Sequence, residues 1–464
     1  MKRIMQRSYA VLFVALAFFI GIGFMTYKII ANSGTWVQDT QNQHIPVSGN
    51  LSAAGDIVDR NGVAVAYTDE SGKRRYSDDQ STREALLHVL GDSSMGISTS
   101  IQSMYRADLS GYSFFLGMGL PDSLKEDRSV KLTVDADACR AAYEAMGGLK
   151  GACIVYNYKT GEVLVSVSTP TYDPADPPTI TKENESEYQG VYLDNVLSST
   201  YTPGSTFKII TAASAIENIP DIERRTFTCT GEYEVMGRKI TCEYAHGDLS
   251  FEDAFAHSCN CAFAQMAIEI GDEKLKRTAE EFGFNHSGYT MSGLPIVADH
   301  YDAVGAGDNY LAWSGIGQYD DLANPAHMAM ICSAVANGGK AVSPYIVEDD
   351  GRLLSKLGIK TNKAGDVNMV SSRVAARLKE LMKKAGDGYA EDSYVYLAGL
   401  RFCAKTGTAE LGMDEEGNRK TNAWFVGFTD DEKHPYAFAV VRVDGGYGIE
   451  SAGVIEAAIA ALVE

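Results

Sequence analysis

The sequence predicts an α+β protein, an antiparallel sheet flanked by helices behind a single apolar N-terminal segment. Three observations carry this. Two strand-like runs, Ala152–Asn157 and Glu162–Ser168, meet at a tight turn. Three more, Cys403–Thr408, Ala423–Phe428 and Tyr436–Val443, come late in the chain, followed by a helical pattern over Val454–Leu462. Between the two sets lies a long region of helical periodicity, so early and late strands must share one sheet around a helical insert. The chain has 464 residues, 45% hydrophobic and 22% charged. It is long enough for two or three domains and has none of the bias of disordered or fibrous chains.

The first element is the N-terminal segment. Lys2, Arg3 and Arg7 precede an uncharged, mostly apolar run from Tyr9 to Met25, and apolar character continues to Ala31 despite Lys28. As a helix, residues 9–31 are about 34 Å long and span a bilayer. No small-x-small cleavage pattern follows, which favours an uncleaved anchor over a signal peptide. Three basic residues before the run, against one just after it, place the N-terminus inside and the body outside. This gives a cytoplasmic tail at 1–8, a transmembrane anchor at 9–31, a linker and small N-terminal domain at 32–130, and a main domain at 131–464.

Within the small domain, Gly55–Ala66 reads as a hairpin about Asn61-Gly62. Thr82–Leu90 and Ile101–Tyr105 read as short helices. Gly-x-Gly fragments at 21–23 and 117–119 have a membrane helix and a turn as their simplest explanations. A composition shift near Lys131 opens the main domain, with a helix over Ala138–Met146 that Gly147-Gly148 stops.

The formal net charge is −20, and no basic stripe interleaved with aromatics interrupts it, so nucleic acid is excluded as a partner. Of the eight cysteines, Cys153, Cys332 and Cys403 lie in apolar stretches, as small buried hydrophobes do. Cys229 and Cys242 flank a turn-rich segment and are the one pair to consider for a disulfide outside the membrane. No metal is expected, because no paired C-x-x-C spacing exists and His246 alone does not complete a zinc set. No cofactor motif is present.

The chemistry lies in three strings. Ser205-Thr206-Phe207-Lys208 follows a Tyr-Thr-Pro-Gly turn and opens a helix, so Ser205 and Lys208 share a face. A serine hydroxyl needs a base, and a neutral lysine can serve. At the ordinary pKa near 10.4, only a few hundredths of a percent of the lysine is neutral at pH 7. Bringing that pKa to about 7.4 costs ~4 kcal/mol, through burial or a second cation such as Lys405. The other reading of Ser205 is a helix N-cap.

In Ser258-Cys259-Asn260, between two helical stretches, alternate side chains converge on one pocket. Ser258 is placed to relay a proton and Asn260 to hold a substrate amide, while Cys259 turns into the core. In Lys405-Thr406-Gly407-Thr408, strand alternation puts Lys405 and Gly407 on one face. Bare Gly407 lets an extended peptide lie along the strand. Lys405, Thr406 and Thr408 then meet its carboxylate. The backbone N–H groups of Ser205 and Thr408 are the candidate oxyanion donors.

Any single string is weak, since Ser-x-x-Lys arises by chance about once or twice in such a chain. In this order, the three are those of penicillin-binding proteins and class A β-lactamases. The chain resembles class B penicillin-binding proteins, also in Gly55–Gly62, Trp313–Gln318, Asn337–Gly339 and Asn422–Phe428, and more loosely their PbpA-type branch. It departs from that pattern at Ala54 and Val196, where the family commonly has arginine.

The resemblance implies a five-stranded sheet and a peptidoglycan D,D-transpeptidase that cross-links stem peptides ending in D-Ala-D-Ala through a Ser205 acyl-enzyme, which β-lactams mimic. It also implies a SEDS-family glycosyltransferase as partner, since residues before 131 are too few for a polymerase domain. Three alternatives use the same strings: a D,D-carboxypeptidase, a β-lactamase and a non-catalytic scaffold. No Glu-x-x-Leu-Asn string supports the β-lactamase, and the scaffold is expected to have lost Ser205, Lys208 or Lys405.

Overall fold

The computed structural model describes residues 2–38, 54–106, 109, 129–348, 365–392, 394–413, 417 and 419–463. Five antiparallel strands form the central sheet, in the order Phe402–Met413, Arg419–Thr429, Tyr436–Val443, Gly151–Asn157 and Val163–Thr169. The sheet therefore brings both ends of the main domain together, as the early and late runs require. Lys159-Thr160-Gly161 is confined to its hairpin bend, where Asn157 Oδ1 accepts from the N–H groups of Lys159 and Thr160.

Helix Pro325–Ala336 packs on three sheet strands. Asn324 caps it, Pro325 opens it, and Pro325–Val335 are buried, as an all-round apolar helix must be. Helices Ala136–Met146 and Ala452–Val463 pack on each other and cover the opposite face of the sheet. Asp135 caps the first of these and left-handed Gly147 ends it, as the sequence signals.

The N-terminal helix runs from Lys2 to Gln38, beyond both predicted ends of the anchor, so its last turns occupy the start of the expected linker. Its window Val11–Lys28 is long and apolar enough to cross a membrane. The rest of the expected linker, and Gly117–Gly119, lie outside the described residues. The described part of the small domain is not a separate body. Its strands Ile57–Val58, Ala64–Thr68 and Arg74–Tyr76 form a sheet with Val130–Lys131, and Ile57, Val65 and Leu86 share one buried apolar cluster with the main domain. A bidentate Arg83–Asp173 pair, at 2.8 and 2.6 Å, fastens the two across the surface.

Two glycines permit the close approach that shapes one end of this sheet. Strand Phe402–Met413 is an edge, and the Pro203–Thr206 turn lies against it so tightly that a Cβ on Gly407 would come 2.7 Å from Pro203 O and 2.8 Å from Thr206 Cγ2. Gly317, at φ +78°, accepts from Gly204 N–H at 2.8 Å, and a Cβ there would overlap Gly204 O. Gly237 has nearly the same φ, +77°, with nothing near its missing Cβ. Gly237→Ala therefore costs only the left-handed backbone penalty, about 1 kcal/mol. Gly317→Ala adds the overlap, for a further ~1–3 kcal/mol. Thermal unfolding of the two variants side by side checks this, and equal losses would show that the turn yields freely at Gly204.

Candidate active site

The sequence places Ser205 at the start of an α-helix. The structure instead puts Gly204–Phe207 in a 3₁₀ turn and begins the α-helix at Lys208, running to Asn218. Ser205 makes no capping bond in this turn, so the N-cap reading does not apply. The tighter turn keeps the pair together, with Lys208 Nζ 3.0 Å from Ser205 Oγ. Lys208 is wholly buried, with the Phe263 ring 5.5 Å away. Burial pushes its pKa down from 10.5 to about 8.

Lys208 Nζ reaches three further oxygens: Ser258 O at 2.6 Å, Asn260 Oδ1 at 2.7 Å and Ser258 Oγ at 3.1 Å. The two shortest contacts go to groups that can only accept. A neutral amine has two N–H bonds and one lone pair. Those bonds go to the carbonyl and the amide oxygen, which leaves the lone pair for one hydroxyl, and Ser205 Oγ at 3.0 Å is within its reach. The arrangement can therefore take a proton from Ser205.

Ser258 holds φ +53°, a left-handed conformation that is strained for serine. This places its hydroxyl between the two lysines, 3.1 Å from Lys208 Nζ and 3.0 Å from Lys405 Nζ. Asn260 begins helix Asn260–Ile270, and its Nδ2 donates to Thr241 O at 2.8 Å. Both ends of this amide are already engaged, which leaves one hydrogen and one lone pair for a substrate amide. Cys259 is fully buried, as expected, and its Sγ caps the helix by accepting from Ala262 N–H.

Lys405 is also wholly buried, beside the Phe255 ring. Burial, then the charge of Lys208, push its pKa well below the ordinary value. The mutual repulsion that the sequence assigns to Lys208 is thus felt at Lys405, while burial is what lowers Lys208. The missing side chain of Gly407 also admits the Pro203–Thr206 turn, which a Cβ there would meet. Thr406 Oγ1 lies 3.1 Å from Tyr389 Oη, and Thr408 Oγ1 accepts from Gly448 N–H at 2.9 Å. Gly204 approaches the backbone of Thr408 and Ala409 closely, so the Ser205 and Thr408 backbones are neighbours.

Hydrogen bonds thus link Ser205, Lys208, Ser258, Asn260 and Lys405 in one network, while the Thr406 and Thr408 hydroxyls engage Tyr389 and Gly448. Sequence reasoning missed Tyr389, Thr241 and the Gly204–Gly317 contact. Gly317 lies in the Trp313–Gln318 stretch already noted, but Tyr389 acts through Thr406 and Thr241 through Asn260, contacts that carry no sequence signal. Cys229 and Cys242 are free thiols with their sulfurs 3.7 Å apart, not a disulfide.

The chain matches the model of the penicillin-binding protein transpeptidase domain over residues 151–461. It is 30% identical to the peptidoglycan D,D-transpeptidase PbpA of Mycolicibacterium smegmatis, over 89% of each chain. It is 29% identical to stage V sporulation protein D of Bacillus subtilis, over 81% of this chain and 61% of that one. The ceftriaxone acyl-enzyme of Mycobacterium tuberculosis penicillin-binding protein A superposes with a TM-score of 0.74 at 25% identity, covering 90% of this chain and all of the other. The chain belongs to the penicillin-binding protein transpeptidase family, as a class B member of the PbpA type.

Proposed function

We propose that this protein is a peptidoglycan D,D-transpeptidase of the bacterial cell membrane, working through a Ser205 acyl-enzyme that β-lactams also form. The observation that carries the reading is the placement of Lys208 Nζ. Two acceptor-only oxygens hold it at 2.6 and 2.7 Å, and the Ser205 hydroxyl lies 3.0 Å away. The D,D-transpeptidase relative and the β-lactam acyl-enzyme of the structural neighbour support the substrate class.

Ser205 Oγ attacks the penultimate D-Ala carbonyl of a stem peptide while Lys208 takes its proton. The N–H groups of Ser205 and Thr408 receive the oxyanion; each such donor contributes ~3–4 kcal/mol to lowering the barrier. Ser258, between the lysines, passes the proton to the departing D-Ala amine. Lys405, with Thr406 and Thr408, holds the terminal carboxylate, and Asn260 takes a substrate amide beside Gly407. An amine from a neighbouring stem then attacks the ester and forms the cross-link. The N-terminal helix anchors the chain once, with the catalytic domain outside the cytoplasm. Cross-linking consumes newly made glycan strands, which makes a SEDS-family glycosyltransferase in the same membrane the fitting partner.

Full-length protein in detergent, incubated with a fluorescent penicillin, gives a covalent label that persists for hours on wild type and is absent from Ser205→Ala. Label that turns over within minutes would make the protein a β-lactamase. No label on folded protein would leave a scaffold.

Because Lys208 must be neutral to act and its pKa is about 8, the second-order rate of acylation rises with pH, about tenfold per unit below pH 8, and levels off above it. Stopped-flow labelling from pH 6 to 9 checks this. Lys208→Arg, which cannot lose its proton, loses at least ~10²-fold in that rate. A flat profile with an active Lys208→Arg would remove Lys208 as the base.

A further inference from the structure

Behind the Ser258–Asn260 turn, the chain makes a small four-stranded excursion, through Thr226–Cys229, Glu232–Val235, Arg238–Thr241 and Gly247–Ser250. Four soft donors converge where it meets the turn. Cys229 Sγ lies 3.7 Å from Cys242 Sγ and 3.4 Å from His246 Nδ1, and Cys242 Sγ lies 3.9 Å from Cys259 Sγ. All four donor atoms fall within 4.8 Å of one another. Cys229 and Cys259 are buried, while Cys242 and His246 are half-buried.

These separations have a specific meaning. Donors at ~2.3 Å from a tetrahedral zinc ion stand ~3.8 Å from each other, and a histidine nitrogen at ~2.0 Å stands slightly closer. A disulfide would bring one pair to ~2.0 Å and leave the other two donors turned inward with nothing to bind. Three thiolates and one imidazole make a soft, closed set that selects zinc over the hard cations. The Ala262 N–H bond to Cys259 Sγ, at 3.4 Å, is the outer support that metal-bound thiolates commonly receive.

We propose that Cys229, Cys242, His246 and Cys259 form a structural zinc site that fixes the Ser258–Asn260 turn in place. Three thiols lose their protons to solvent and the imidazole binds neutral, so the bound site carries a net charge of −1. Cys259 lies between Ser258 and Asn260, and Thr241, which accepts from Asn260 Nδ2, adjoins Cys242. One ion therefore fastens both the strand that orients the Asn260 amide and the turn that aims the Ser258 hydroxyl. This departs from the expectation of no metal. The sequence hides the site because its ligands come one each from a strand end, a hairpin end, a loop and a helix cap, at spacings of 13, 4 and 13 residues. Cys261 Sγ also lies 3.5 Å from Cys242 Sγ, and Cys259 is assigned because it completes the four-donor set.

The test uses the full-length chain, purified in detergent under reducing conditions without chelator. Elemental analysis is expected to find about one zinc per chain. Exchange for cobalt is expected to give the strong visible bands of a tetrahedral site and a thiolate charge-transfer band in the near ultraviolet. Cys229→Ser and His246→Ala lose the metal, and Cys261→Ser keeps it. Stripping the wild type with a strong chelator slows fluorescent-penicillin labelling at least ~10-fold, and added zinc restores it, which separates loss of metal from failure of a variant to fold.

Three results would overturn the proposal: wild type without stoichiometric zinc, an octahedral cobalt spectrum, or a Cys229–Cys242 disulfide in the native chain. Loss of metal from Cys261→Ser but not from Cys259→Ser would overturn the assignment of Cys259. Unchanged labelling after the zinc is removed would overturn the role in fixing the turn. Zinc content and the cobalt spectrum are read without any acyl transfer, so the site stands or falls separately from the transpeptidase reading.

Discussion

Everything at this site depends on keeping one amine dry. Lys208 is wholly buried, and its Nζ is held by the Ser258 carbonyl and the Asn260 amide oxygen. Burial makes the charged form costly. A pKa near 8 instead of 10.5 corresponds to about 3 kcal/mol of folding stability given up at neutral pH. The return is a neutral fraction of roughly one tenth at pH 7, against a few hundredths of a percent for a lysine in water. The fold must supply that energy elsewhere, and the buried, mostly apolar helix Pro325–Ala336 and the buried sheet are where it does so.

The second constraint is geometric. Ser205, Ser258 and Lys405 come from three parts of the chain, and no single element could present all three. The sheet brings in Lys405, Gly407 admits the Pro203–Thr206 turn against that strand, and Gly317 pins the turn from behind. The left-handed Ser258 then points its hydroxyl at both lysines. Each contact is backbone against backbone or a strained turn, so small side-chain changes there act on geometry before they act on chemistry.

Much of this is legible in the sequence, for identifiable reasons. The sheet and its flanking helices follow from periodicity and from plain signals such as Asn324-Pro325 and Gly147. The pairing of Ser205 with Lys208 follows from their spacing. What sequence could not give is anything fixed by contact between distant segments. The 3₁₀ turn at Ser205 arises because Gly204 is held by Gly317. The small N-terminal domain merges with the main core because Ile57 and Leu86 pack into it. Sequence pairs Cys229 with Cys242 only by the turn between them, whereas four donors from four local settings meet only in three dimensions.

The two buried lysines also explain why the proposed substrate must carry a carboxylate. Burial, and then the charge of Lys208, push Lys405 well below its ordinary pKa, so the pair resists holding two protons at once. A terminal carboxylate beside Lys405 reverses that balance, because an adjacent anion favours its charged form. A fully charged Lys405 in turn disfavours a proton on Lys208, across the Ser258 hydroxyl that touches both. Binding of the anion thus moves the proton away from the base that must be free to act. A peptide lacking that carboxylate would lose more than a binding contact, since a smaller fraction of Lys208 would be free of its proton to accept one from Ser205.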